Sequence, residues 1–550
     1  MKKQFILGGA LGNCVHVGGL HHFLKLAEPE GYKTASLGPA VNIEIFIREI
    51  IRQKPDVAAV SYRLTPEVGE ELFQKLKDEV NKNNLRSVRF IFGGTPPVAE
   101  KAKESGLFEK VFNGTETTQE IVEYLRGYGR KEIKEIYPDN LVDRINMKYP
   151  YPLLRHHFGR PTMKETLAGV KEIAESGVLD ILSIGTDQNA QEHFFNPENM
   201  KKSLDGAGGV PVRKAQDLSD IYAATRCGNY PLVRCYSGTN NLLKWAQMSV
   251  ETINNAWAAI PLTWYSVMDG RSKRSLKDAI AENQSVMKWY AEKGIPVEVN
   301  ESHQWSLRDA HDSLAVTMSF LAAYNARKMG VRNYVSQYMF NTPPGTTPQM
   351  DIAKMMAKNE MINTLKNENF DVFREVRAGI AHFSGDAYKA KGQAAASAVI
   401  SLTLKPHILH VVGFSEGDHA THPDELTESC KIIHGVLFDC LDGMIDAGQD
   451  SKISERKYHL MNEAHELLLA IKEFGSDRSD DPWSSPEVLA AAIKDGILDA
   501  PHFRGNKHLC GKIYTKLSEG SWNAIEENTG EIIREKERCK KILLENKDKE

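Results

Sequence analysis

The sequence predicts an α/β protein: an N-terminal flavodoxin-like, doubly wound parallel sheet, followed by a (β/α)8 TIM barrel with a C-terminal extension. Three observations lead there. Residues 1–127 alternate short β-like runs with amphipathic stretches, the pattern of a parallel sheet with helices on both faces. Between 166 and 505, short apolar runs recur, each followed by a longer helical pattern, as in eight successive βα units. The length, 550 residues, exceeds what one hydrophobic core usually serves.

In order, the N-terminal strands are expected at Gln4–Gly8, Thr34–Leu37, Val57–Ser61, Arg89–Phe92 and Lys110–Phe112, with helices near Asn42–Gln53 and Glu67–Asn81. Residues 128–165 read as a linker, because Tyr149-Pro150-Tyr151-Pro152 and Arg155-His156-His157 follow no clear period. The barrel, 166–505, draws its expected strands from Asp180–Ile184, Pro231–Cys235, Pro261–Tyr265, Val297–Asn300, Tyr334–Met339, Ile380–Phe383, Ile408–Gly413 and Ile497–Ala500. Residues 506–550 form the extension, in which Glu531–Lys549 reads as a surface helix or tail.

Composition excludes several classes. The net charge is −4 with signs interleaved, so no basic face marks a nucleic-acid binder. No apolar run reaches the length of a membrane span. The apolar run Phe5–Leu11 behind Lys2 and Lys3 lies at the lower limit for a secretion signal. Seven cysteines without CxxC spacing suit a reducing cytoplasm, where the protein is expected.

The first strand ends in Gly12-Asn13-Cys14-Val15-His16-Val17-Gly18-Gly19. A histidine there can reach a ligand in the crevice at the carboxyl ends of the strands, and the glycines let the backbone approach it. Read alone, such a histidine is also an ordinary cap or surface residue. Ser61-Tyr62-Arg63-Leu64, Phe92-Gly93-Gly94-Thr95 and Asn113-Gly114-Thr115 end the third to fifth strands and leave room for a long flat ligand. A flavodoxin-like phosphate binder is the alternative, but it asks for no histidine in the first loop.

Taken together these features resemble the cobalamin (B12)-binding domain of mutases and methyltransferases, whose motif is Asp-x-His-x-x-Gly, then Ser-x-Leu, then Gly-Gly. Cys14-Val15-His16-Val17-Gly18-Gly19, Ser61 with Leu64 one place late, and Gly93-Gly94 carry the likeness. It implies His16 as the lower axial ligand of cobalt. Cys14, Val15 and Gly19 flank it, Ser61, Leu64, Gly93 and Gly94 line the slot for the nucleotide tail, and Asn113, Gly114 and Thr115 form its rim. Cys14 stands where the family has an aspartate that orients the histidine, a partner that tunes metal ligation.

The barrel segment, about 170–525, resembles the epsilon subunit of glutamate mutase (methylaspartate mutase). Trp289-Tyr290-Ala291-Glu292-Lys293-Gly294-Ile295-Pro296-Val297-Glu298-Val299-Asn300-Glu301, Gly496-Ile497-Leu498-Asp499-Ala500-Pro501 with Gly511-Lys512, and Val233-Arg234-Cys235-Tyr236-Ser237-Gly238-Thr239 carry this likeness. It implies an adenosylcobalamin (coenzyme B12)-dependent radical carbon-skeleton mutase, a cytoplasmic isomerase and expected homodimer. Arg234 is expected to anchor a substrate carboxylate, with Glu301 and His303 beside it as catalytic groups. Asp187, Gln191 and Ser285 are expected in the pocket, and Glu416 and Asp418 against the adenosyl ribose. Because Gln191 and Ser285 stand where the family has further arginines, the substrate is expected to be a small carboxylic or amino acid other than glutamate. Asp418, His419 and His422 also admit a zinc reading. A corrinoid methyltransferase or methyl carrier, and a non-catalytic corrinoid-binding protein, are the competing functions.

Overall fold

Five strands build the first sheet: β1 (Phe5–Ala10), β2 (Lys33–Ser36), β3 (Val57–Ser61), β4 (Arg89–Gly93) and β5 (Lys110–Phe112). In this computed structural model, which describes residues 4–547 apart from 29, 117, 130–136, 237, 442 and 445, they run parallel in the order β2-β1-β3-β4-β5. The chain reverses its direction of winding between β1 and β3, which opens a crevice at their carboxyl ends. Alternation along β3 sends Ala58 and Val60 into a core with Phe46 and Phe73. It sends Val57 and Ala59 to the other face, against Leu20, Phe23 and Leu24 of helix Gly18–Ala27.

The chain divides into two compact units, Met1–Ile136 and Tyr137–Glu550. The second holds eight parallel strands: β6 (Leu153–Phe158), β7 (Ile181–Ile184), β8 (Leu232–Cys235), β9 (Ala258–Ile260), β10 (Val297–Val299), β11 (Asn333–Phe340), β12 (Asp371–Ala378) and β13 (Ile408–His410). They pair in sequence order and β13 pairs with β6, so the barrel is hydrogen-bonded all round except between β8 and β9. The fold class read from the sequence is therefore the observed one.

Four assignments change. The stretch read as a linker, 128–165, contains helix Leu141–Lys148 and the first barrel strand, β6. Its inward residues Arg155 and His157 are polar because they meet partners inside the barrel, which hides the strand from an apolar-run search. The seventh strand is β12, not Ile380–Phe383, for the same reason: it carries Arg374, Glu375 and Arg377, and Ile380–His382 is a 3-10 turn beyond it. The fourth strand is the first half of the apolar run and stops before Pro261, not at 261–265. Ile497–Ala500 is no strand. Its Asp499 carboxylate gathers the N–H groups of Ala500, Gly511, Lys512 and Ile513 at 2.8–3.0 Å and folds the chain into a buried turn.

The extension is fastened to the barrel unit. It forms a hairpin, β14 (Tyr514–Ser518) with β15 (Ser521–Ile525), then helix Glu535–Lys547. Among the described residues no helix is long and apolar enough to cross a membrane. Buried Glu535 stands 2.6 Å from His311 and 2.7 Å from Arg538. Burial alone would raise the Glu535 carboxyl, but Arg538 and His311 outweigh it and hold it down, from 4.5 to about 2. A carboxyl held below its unfolded value stabilises the fold above that value and loses the contribution as pH falls through the folded one. Glu535→Gln should therefore cost on the order of 3 kcal/mol at pH 7. The difference from wild type should narrow as pH falls from 4.5 towards 2, read as urea midpoints across pH. A constant difference would show that packing, not charge, holds the helix.

Candidate functional sites

The N-terminal unit contains a cavity of about 510 Å³ at the carboxyl ends of β3, β4 and β5, beside helix Gly18–Ala27. Its floor follows from strand alternation. Ala59 and Ser61 of β3, with Ile91 and Gly93 of β4, turn to this face. Ala59 is small and Gly93 has no side chain. A Cβ on Gly93 or Gly19 would meet no atom within 4 Å, so nothing in the protein fills that space. Gly94 differs, because a Cβ there would lie 2.3 Å from the Tyr62 carbonyl oxygen, so only glycine lets the two strand ends come this close. Asn113 and Gly114 close the far side, where the Glu116 carboxylate accepts from both their N–H groups at 3.0–3.1 Å.

His16 is exposed at the lip of this cavity. Cys14 is fully buried beneath it, with Sγ 3.9 Å from His16 Nδ1, so Nε2 is the ring nitrogen that faces away from the thiol. The structure thus gathers His16, Gly19, Ser61, Gly93, Gly94, Asn113 and Gly114 around one space. Val15 and Leu64 do not line it, and both are exposed on neighbouring strand-end loops. Thr115 bonds back to Asn113 Oδ1 through both N–H and hydroxyl. Arg63 and Glu116, which sequence reasoning passed over, join the lining.

The barrel interior is layered. At the bottom lie apolar side chains, among them Leu153, Ile181, Leu232, Val335, Phe373 and Ile408. Above them are charges. Arg155 pairs with Glu375 across the barrel and donates to Ser183 at 2.6 Å. Arg234 donates to Glu298 at 2.7 Å, and Trp257 Nε1 donates to the same oxygen. All four charged side chains are fully buried. One layer higher, His157 stacks on Tyr236 with ring centroids 5.0 Å apart and lies 2.8 Å from Arg155 Nη2. His410 Nδ1 is 3.2 Å from Arg155 Nη1.

Several expected pocket residues are occupied elsewhere. Arg234 is fully buried and its charge is already answered by Glu298. Glu301 is fully buried and accepts from Leu262 N, Thr263 N, Thr263 Oγ1 and Trp305 Nε1, so it braces the loop after β9. Asp187 caps helix Gln188–His193, accepts from Gly206 N and binds Arg213 by two bonds. Ser285 lies exposed on helix Leu276–Glu292 and donates to the Ala281 carbonyl, away from any pocket. Gln191 turns its amide to the Thr186 carbonyl at 2.7 Å. Glu416 accepts from Gly413 N and stands 3.1 Å from His156. Exposed Asp418 pairs with His419 at 2.9 Å, and His419 also meets Glu425. Burial and then the Arg377 charge hold half-buried His303 well below the usual imidazole value.

What sequence reasoning missed is Arg377. It sits on β12 two residues beyond Glu375, hence on the inward face. Its Nε donates to the Ala378 carbonyl at 3.1 Å, and among the described residues no carboxylate lies within 4 Å of it. The charged run Arg374-Glu375-Val376-Arg377 is the available signal, but it lies just ahead of Ile380–Phe383, where the strand is expected from the sequence. Lys358 was missed too: it is 1% exposed on helix Pro348–Asn363 and has no ion pair among the described residues.

No protein-family model matches the chain, and no curated protein matches it significantly. Among solved structures, it is similar to a cobalamin-binding protein from Desulfitobacterium hafniense DCB-2. The identity is 21% and the TM-score 0.21, over 23% of this chain and 59% of that one. It is also similar to 2,3-dimethylmalate lyase, a PEP mutase/isocitrate lyase superfamily member, at 10% identity and TM-score 0.26, over 60% of this chain and 96% of that one. A cobalamin-dependent S-adenosylmethionine radical enzyme, OxsB, gives 10% identity and TM-score 0.17, over 89% and 70%. These values are too low to transfer a function.

Lys358 gives the barrel site a measurable signature. Burial, then the Lys354 charge, push its amine down from 10.5 to about 7. A base with a folded value below its unfolded one costs stability. The cost is full below the folded value and vanishes above the unfolded one, because the unfolded chain binds more protons between them. Lys358→Met should raise stability at or below pH 7 by on the order of 3 kcal/mol, and the gain should fade as pH rises towards 10.5. Thermal melts of the two proteins across pH read it directly. A loss of stability at neutral pH would mean that the ammonium is paired.

Proposed function

We propose that the N-terminal unit binds cobalamin, with His16 as the lower axial ligand of cobalt, and that the chain is an adenosylcobalamin-dependent isomerase of a small carboxylic acid. The observation that carries this reading is the cavity beside His16, whose floor of Ala59, Ser61 and Gly93 leaves space that no protein atom fills. A long, flat ligand tail fits such a slot between sheet and helix. A donor nitrogen at its lip is the residue type a cobalt ion takes as an axial ligand. When bound, adenosylcobalamin supplies homolytic radical chemistry that side chains lack.

The protein's own residues then have defined tasks. His16 presents Nε2, while Cys14 occupies the space behind Nδ1. A thiol is a weak hydrogen-bonding group, so the imidazole carries less of the basicity that an anionic neighbour would give it. Ser61 and Asn113 supply polar contacts, and Gly93 and Gly94 bring backbone close to the tail. In the barrel unit, the stacked His157–Tyr236 pair and the buried Arg–Glu pairs hold the carboxyl end of the strands rigid, as positioning a reactive substrate requires.

Two measurements test the reading. Electron paramagnetic resonance of the Co(II) form with nitrogen-15 histidine should show label-dependent splitting, which His16→Ala abolishes. Splitting indifferent to the label would remove His16 from cobalt. Gly93→Val should lower cobalamin affinity by roughly tenfold or more with little loss of stability, because its side chain enters empty space. Unchanged affinity would place the ligand elsewhere. Incubation with labelled small acids then separates the chemistries: label reaching the cofactor's 5′ carbon supports an isomerase, whereas methyl transfer from methylcobalamin supports a methyltransferase.

A third expectation concerns Cys14. Cys14→Asp should raise cobalamin affinity, or leave it unchanged, because a carboxylate behind Nδ1 strengthens the imidazole as a donor. A large loss would show that the buried thiol is needed for packing beneath the loop.

A further inference from the structure

We propose that Arg377, not Arg234, holds the carboxylate of the substrate at the carboxyl end of the barrel, and that the substrate is a monocarboxylic acid bearing a hydroxyl or amino group which the Asn300 and Gln337 amides receive. This names a substrate class for the activity proposed above and rests on that reading only for the reaction, not for binding.

Charge balance comes first. Arg155 is matched by Glu375 and Arg234 by Glu298, all four fully buried. A further carboxylate whose charge reaches Arg377, Glu416, is taken up by His156 at 3.1 Å and by the Gly413 N–H at 2.8 Å. Arg377 is left with one bond, from Nε to a carbonyl. Both terminal nitrogens of its guanidinium lack a hydrogen-bond partner among the described residues. Arg377 is half-buried, and a partly desolvated planar fork is the geometry that binds a carboxylate by two parallel bonds.

Strand register then places the rest. Met339 of β11 is opposite Arg377, and Gln337 is opposite Glu375. Glu298 of β10 is opposite Val335, and continuing that register by two residues sets Asn300 beside Gln337. Alternation turns Gln337 and Arg377 to the barrel interior, and Asn300, one residue past β10, continues it, on three adjacent chain segments spaced roughly 5 Å apart. Asn300 and Gln337 are 6% and 7% exposed. Asn300 Oδ1 and Gln337 Oε1 are buried without a hydrogen-bond partner among the described residues. Buried acceptors of this kind are normally satisfied, and what satisfies them must be a donor, such as a hydroxyl or ammonium.

A dicarboxylate is disfavoured on the same ground. A second carboxylate that drew on Arg155 or Arg234 would strand a buried glutamate.

The test uses the cofactor-free full chain and ligand-observed NMR with calorimetry, on 3-hydroxybutyrate, alanine, butyrate, butyramide and succinate. The expected result is binding of 3-hydroxybutyrate or alanine ahead of butyrate, no binding of butyramide, and no advantage for succinate. Arg377→Gln should weaken the best acid by roughly thirtyfold. Arg377→Lys, which keeps the charge without the fork, should recover part of it. Asn300→Leu should erase the preference for 3-hydroxybutyrate over butyrate. The proposal is overturned if no acid of the panel binds, if butyramide or succinate binds best, or if Arg377→Gln and Arg377→Lys both bind as wild type does. A protein that binds the acids but not cobalamin would sink the cofactor reading and leave this one standing.

Discussion

Everything in the barrel unit is arranged around two buried ion pairs, Arg155–Glu375 and Arg234–Glu298. Each joins strands that are not neighbours: β6 to β12, and β8 to β10. Burying four charges is costly, and only close pairing with added hydrogen bonds offsets it. Ser183 and Trp257 supply such bonds. A slip of one residue in β6 or β12 would turn a charge into the helical layer outside, so the pairs act on register more than on net stability. They also set the layer above. Arg155 orients both His157 and His410, and Arg234 lies under the Tyr236 ring, 4.3 Å from its centre.

The two units reach a binding surface by opposite means. The N-terminal sheet makes space by leaving side chains out: Ala59, Gly93 and Gly19 border a cavity that their neighbours do not fill. The barrel fills its interior and makes polarity instead. Its bottom layer is apolar, its middle layer carries the two buried ion pairs, and around and above them lie polar groups without a partner among the described residues. A long apolar or flat ligand is matched to the first arrangement. A small charged one is matched to the second, where among the described residues Arg377 has no ion pair and the Asn300 and Gln337 carbonyl oxygens have no hydrogen-bond partner.

The same contrast explains what could be read from the chain. The N-terminal strands follow the ordinary code, with apolar β-branched and aromatic residues between amphipathic helices, and all five were legible to within a few residues. The pocket loops were legible because glycine, serine and histidine stand out at strand ends. In the barrel, β7, β8, β10, β11 and β13 were legible for the same reason. β6 and β12 were not, because Arg155, His157, Glu375 and Arg377 occupy their inward faces. Arg155 and Glu375 are explained by each other across 220 residues, and no local window contains both. The fate of Arg234 is a second case. A strand-end arginine looks available until Glu298, on another strand, is placed 2.7 Å from it. Asp187 and Glu301 likewise looked like pocket acids and are loop braces.

The imidazoles at the barrel mouth follow from the same electrostatics. Burial and then Arg155 lower His157, while burial and then Arg377 lower His410 and His303, each well below the usual value near 6.5. A protonated histidine here would face nearby guanidinium groups, and burial outweighs even the Glu375 carboxylate 3.5 Å from His410, so the neutral rings are favoured. That has a chemical consequence. A neutral imidazole both donates and accepts, so the mouth presents versatile hydrogen-bonding groups around a fixed positive charge. Protonating one of the rings would add a charge beside Arg377 without a counter-ion, which the site already avoids. Recognition by charge therefore falls to Arg377, and recognition by hydrogen bonding to the neutral groups around it. The arginine that has no ion pair among the described residues also favours the neutral form of its neighbours.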